Sequence, residues 1–143
     1  MGAKLLSPGD LQGIAEKTQL AKVQEQFERA KKEEQERKAL HEAFVTRDLH
    51  PDVMERVNAA VRRAAEQGFH ELQVLRFPAS YCNDHGRRIN VAEPDWPESL
   101  EGFAKRAYEF FGKELRPLGY RLRAQILDYP HGQLGDVGLF LCW

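Results

Sequence analysis

The residues best suited to chemistry lie in one stretch, residues 78–95, with the sequence PASYCNDHGRRINVAEPD. It brings a thiol, an imidazole and two guanidinium groups close together in the chain, from Cys82, His85, Arg87 and Arg88. The stretch shows neither helical nor strand periodicity, and long irregular loops inside compact domains are usually functional or disordered. We therefore expect any catalytic or ligand-binding site to lie here.

A nucleophilic cysteine is the first chemistry that these residues permit. Cysteine attacks as the thiolate and needs a base close by, which His85, three residues after Cys82, or His131, from a later loop, would supply. Cys82 and His85 also have the spacing of half a zinc site, with His131 and Cys142 as further candidates. Zinc ligands normally come as two closely spaced pairs. Because the second pair is missing from the sequence, we expect no metal and no cofactor.

Two adjacent arginines offer a second chemistry, because guanidinium groups bind phosphate and carboxylate. Arg87 and Arg88 would hold such an anion, unless they pair with the acidic side chains of their own loop, Asp84, Glu93 and Asp95. The sequence has no phosphate-binding glycine loop, no dinucleotide fingerprint and no paired-cysteine motif. An enzyme or anion-binding protein that uses the 78–95 loop is therefore an alternative interpretation and not the leading one.

Composition limits the partners of the chain. Its 143 residues suit one domain with an appendage, and its net charge of −1 argues against nucleic acid and anionic membranes as partners. The longest apolar runs fall far short of the roughly 20 residues of a membrane span. With two cysteines far apart and no apolar leader near the start, we expect a cytoplasmic protein with reduced thiols.

Residues 1–48 are predicted to form a long charged helix. Leu20, Val23, Phe27 and Ala30 fall on one face at spacings of three and four, whereas residues 31–38, KKEEQERK, are polar on every face. A continuous helix from Leu11 to Arg47 would be roughly 55 Å long at about 1.5 Å per residue. Since this exceeds the diameter of a small domain, we expect part of the helix to bind another molecule through its apolar stripe.

Residues 49–143 are predicted to form a compact α-β-α-β-β domain. A helix that begins near Pro51 and ends at Gly68 precedes a strand over residues 70–77. After the 78–95 loop, a second helix begins near Asp95, and strands follow over residues 120–128 and 137–143. The pattern predicts a two-layer α+β fold. We place the last strand, which is the most apolar, at the centre of a three-stranded sheet, with both helices on one face.

The other face of this sheet offers a third site. Arg121 and Arg123 should point outward from their strand, and Phe140 should join them from the central strand. Aromatic rings beside arginines are one way to stack single-stranded RNA. The net charge and the single aromatic ring on this face argue against that role.

The leading hypothesis is a non-enzymatic protein of unknown pathway. Its long helix would mediate self-association, as a homodimer, or binding to a protein partner. Leu20, Val23, Phe27 and Ala30 are the expected contact residues.

Overall fold

A computed structural model describes residues 4–143. The helices within this range are α1 (Pro8–Thr46), α2 (Val53–Glu66), α3 (Arg87–Asn90) and α4 (Gly102–Phe110), and the strands are β1 (Glu71–Pro78), β2 (Arg121–Ile126) and β3 (Asp136–Cys142). None of these described helices is both long and apolar enough to cross a membrane. The chain divides into two compact units between Glu42 and Ala43, whereas the sequence placed the boundary between residues 48 and 49.

The predicted long N-terminal helix is confirmed, and the structure shows it as one continuous element of 39 residues that begins at Pro8. Ser7 caps the helix, because its Oγ accepts the Asp10 amide at 3.1 Å while the Asp10 carboxylate accepts the Ser7 amide at 3.0 Å. Pro8 takes the first helical position, where its missing N–H costs nothing. These hydrogen bonds also lower the pKa of Asp10.

The sheet is antiparallel throughout, and its strand order β1-β3-β2 confirms that the last strand is central. The register pairs Leu122 of β2 and Leu72 of β1 with Leu141 of β3. It also contains a β-bulge in β1 at Val74, where Gln73 and Leu75 pair with successive residues of β3. The structure is therefore the predicted α+β fold.

The core lies between one face of the sheet, the helix α4 and the segment from Ala79 to Leu100. Val137, Leu139 and Leu141 of the central strand are at most 1% exposed. Phe111 is also buried, whereas Phe103 and Phe110 are only partly buried. They border an apolar cavity described below.

The helix α4 begins later than the sequence indicated. Residues Trp96–Ser99 form a separate 3-10 turn, and Leu100 and Glu101 are extended before the helix starts at Gly102. Gly102 has a φ of +56°, and a β-carbon there would lie 2.8 Å from the Val45 Cα. The helix begins there because a glycine permits this close approach to the end of α1. It then runs into a π-helical turn, Phe111–Leu115.

Phe44, near the end of α1, packs inside the second unit. Its ring centroid lies 5.4 Å from that of Phe77, 4.8 Å from that of Tyr81 and 6.3 Å from that of Phe103. Arg106 of α4 holds the same end of the helix, since its Nη1 donates to the carbonyl oxygens of Val45 at 2.8 Å and Arg47 at 2.9 Å. Residues 43–47 are therefore part of the folded unit.

Two phenylalanines of the same helix should respond differently to truncation. Phe44→Ala should lower the free energy of unfolding by about 2–3 kcal/mol, somewhat less than for a fully buried ring, because Phe44 is half-buried. Phe27→Ala removes a ring that is 70% exposed and should change stability by less than about 0.5 kcal/mol. Urea denaturation at low protein concentration measures both. Equal losses would contradict an anchoring role for Phe44.

Candidate functional site

The 78–95 segment is folded into the core and is not an irregular loop. It contains a 3-10 turn, Ala79–Tyr81, and the short helix α3. Ala79, Cys82 and Ile89 are at most 5% exposed and belong to the hydrophobic core. The absence of simple periodicity therefore reflects a sequence of short turns, each of which buries one apolar side chain.

Asp84 organises the middle of this segment. Its two carboxylate oxygens accept the backbone N–H groups of Gly86 at 3.0 Å and Arg88 at 2.9 Å. Gly86 is buried with a φ of +88°, and a β-carbon there would lie 2.9 Å from the Ala79 Cβ. Asp84 and Gly86 therefore stabilise the conformation of the turn.

The two adjacent arginines do not converge on one anion site. Arg88 Nε lies 3.5 Å from the Asp95 carboxylate and 3.9 Å from that of Asp84. Arg87 is exposed on α3. Since Arg88 already faces two carboxylates of its own segment, the pair does not form the cationic fork that phosphate binding needs.

Cys82 lies in an environment that suppresses thiolate formation. It is 3% exposed, and burial raises the pKa of its thiol to about 11, with Asp84 and Glu101 raising it further and a hydrogen bond with Ser99 lowering it. A nucleophilic cysteine requires the opposite shift. The geometry therefore argues against Cys82 as a nucleophile and favours a structural role.

The histidines do not supply the base that this chemistry would need. His85 and His131 are both exposed, with φ values of +56° and +54°, and neither is among the described groups that shift the Cys82 thiol. Among residues 4–143, no cluster of three or more His, Cys, Asp or Glu side chains is arranged to hold a metal ion.

The outer face of the sheet carries Arg121, Arg123 and Phe140, as its register predicts. The guanidinium of Arg123 covers the Phe140 ring at 4.4 Å from the centroid and also donates to Glu71 at 2.9 Å, which raises the pKa of Arg123. A ring that already stacks on a paired arginine is not presented to a nucleic acid base. Arg121 is exposed beside them.

The apolar stripe of α1 is exposed in the structure. Leu20 is 64%, Val23 51% and Phe27 70% exposed, and none of the described residues of α1 is buried. Ala30 continues the same face. This is a row of large apolar side chains in contact with water.

An apolar cavity of about 120 Å³ lies inside the second unit, between α2, α4 and the sheet. Thirteen residues line it, and every one is apolar; they include Val53, Val57, Phe103, Phe110 and Leu139.

The sequence patterns did not predict this cavity. The helical stripes identify which side chains point inward, whereas a cavity depends on how completely their volumes fill the space between layers.

Comparison of the chain with protein-family models, with curated proteins and with solved structures finds no match in any of the three.

The Cys82 environment predicts slow thiol labelling. In a Cys142→Ser variant, Cys82 is the sole thiol of the chain. With a pKa of about 11, about one thiol in a thousand is ionised at pH 8, and the group is buried as well. Ellman's reagent should react slowly with the native variant at pH 8 and rapidly with the same variant unfolded in urea. Equally rapid labelling of both would contradict the structural role.

The same pKa predicts a loss of stability at alkaline pH. The thiol titrates near its model value of 9.0 when unfolded and near 11 when folded, so between these values the unfolded state binds fewer protons. Stability must then fall as pH rises through this window. Urea denaturation at pH 9 and pH 11 should show a smaller fall for Cys82→Ala than for the wild type. Identical falls would show that Cys82 does not titrate in this way.

Proposed function

We propose that this is a non-enzymatic interaction protein that self-associates through α1. The exposed stripe formed by Leu20, Val23 and Phe27 is the observation that carries the proposal. Isolated single apolar side chains are normal on a protein surface, but contiguous exposed apolar residues mark interaction sites.

The stripe supplies a stronger driving force for association than the ion pairs of the helix. Fully burying a Val, Leu or Phe side chain contributes about 1.5–3 kcal/mol. By contrast, surface ion pairs such as Arg29–Glu25, at 2.9 Å, contribute about 0.3–0.5 kcal/mol. Burial of the stripe against a partner is therefore the largest favourable change open to this helix.

A second copy of the chain can bury this stripe in a short coiled-coil pairing. If Leu20 and Phe27 take the a positions of a heptad repeat, Val23 and Ala30 take the d positions. In a parallel, in-register pair, the flanking g and e positions then oppose Gln19 to Gln24 and Gln26 to Lys31, so no like charges meet beside the stripe. The short stripe predicts a weak dimer that forms at micromolar concentration.

A charge placed in the stripe should separate the copies. Phe27→Glu replaces a 70% exposed ring by a carboxylate and should weaken dimerisation at least about tenfold, which corresponds to roughly 1.4 kcal/mol. Ala21→Glu is the matched control, because it adds the same charge to the same helix outside the a and d positions. Light scattering across a range of concentrations measures both.

Two results would contradict the proposal. One is a wild-type protein that stays strictly monomeric up to high micromolar concentration. The other is a Phe27→Glu variant that dimerises as the wild type does. The orientation has its own test: Val23→Cys in a Cys142→Ser background should form an interchain disulfide in a parallel pair, since equivalent d positions face one another.

A further inference from the structure

We infer that the apolar cavity between α2, α4 and the sheet is a binding site for a small, uncharged, apolar molecule about the size of benzene. The cavity lies wholly within the unit Ala43–Trp143, so this inference is independent of self-association through α1.

The lining defines the chemistry of the occupant. Val53 and Val57 come from α2, Phe103 and Phe110 from α4, and Leu139 from the central strand, and all thirteen lining residues are apolar. Water needs two to four polar partners to occupy a cavity, and an engineered apolar cavity of roughly 150 Å³ is known to stay dry and to bind benzene or xenon. At about 120 Å³, this cavity has a similar size and the same kind of lining. A polar ligand would lose its hydration without gaining hydrogen bonds.

Two irregularities of the backbone meet at this cavity. Val74, at the β-bulge of β1, lines one side, and Phe111 and Leu115, at the two ends of the π-helical turn, line another. Bulges and π-helical turns interrupt regular hydrogen bonding, and both are found frequently at functional sites.

The surrounding surface provides a route for the ligand. Leu49 and Phe110 line both the cavity and an adjoining open depression on the surface. They therefore stand between the cavity and solvent, and Phe110 is only partly buried. A rotation of these side chains would admit a small molecule without unfolding either helix.

Benzene and phenol test the site on the full-length protein. We expect saturable benzene-induced shifts in methyl NMR signals, confined to lining residues such as Val57 and Leu139. Phenol has the same ring, but its hydroxyl would find no partner, so it should bind at least about tenfold more weakly. Absence of a saturable benzene response, or equal affinity for phenol, would overturn the inference.

Filling the cavity should remove the site. Ala107→Leu adds three carbons to a lining position on α4 and should weaken benzene binding at least about tenfold. Ala59→Leu makes the same change at an exposed position of α2 and should leave binding unaltered. If Ala107→Leu fails to fold, Val57→Leu serves in its place, and the benzene–phenol comparison decides without any variant. Unaltered binding in the filled variant would show that benzene binds elsewhere.

Discussion

Arg106 supplies the hydrogen bonds that the end of α1 cannot make for itself, and the folded unit is arranged around that contact. The last carbonyl groups of a helix have no partner within it, and residues 43–46 contain no basic side chain. Arg106 reaches back from α4 to the Val45 carbonyl of α1 and to the Arg47 carbonyl just after the helix, and it lies 3.4 Å from Asp48. Gly102 permits the backbones to approach closely enough for this to happen. Phe44 therefore packs against the rings of Phe77 and Tyr81.

Polar side chains in and after the 78–95 segment stabilise the same folded unit through hydrogen bonds to the backbone. Asn83 donates to the Glu98 carbonyl at 2.8 Å, and its backbone N–H donates to the Ser99 carbonyl at 2.9 Å. Ser99, which is fully buried, donates to the Trp96 carbonyl at 2.6 Å. Throughout residues 4–143, every buried side-chain nitrogen and oxygen atom has a hydrogen-bond partner. Polar side chains that resemble a catalytic site in the sequence therefore hydrogen-bond to backbone groups that the turns would otherwise leave unpaired.

The sequence predicted those parts of the fold that depend on repeated patterns. The sequence predicted strands over residues 70–77, 120–128 and 137–143, and it correctly placed the apolar last strand at the centre. The sequence did not predict where α4 begins. That start depends on the close approach of Val45 to Gly102, and these residues are far apart in the chain. The raised pKa of the Cys82 thiol could not be predicted from the sequence either. Burial and neighbouring carboxylates, not residue type, decide whether a thiol ionises.

The β-bulge at Val74 also hinders the addition of a further strand to the edge of the sheet. A three-stranded sheet leaves the outer edges of β1 and β2 without a neighbouring strand, and a flat apolar edge is a template for aggregation. The bulge breaks the even spacing of β1 that an incoming strand would have to match, and Pro78, at its end, has no N–H to offer. Arg121, on the other outer strand β2, is exposed and places a charge there. The same irregularity that borders the cavity therefore also protects the fold from pairing edge to edge with its own copies.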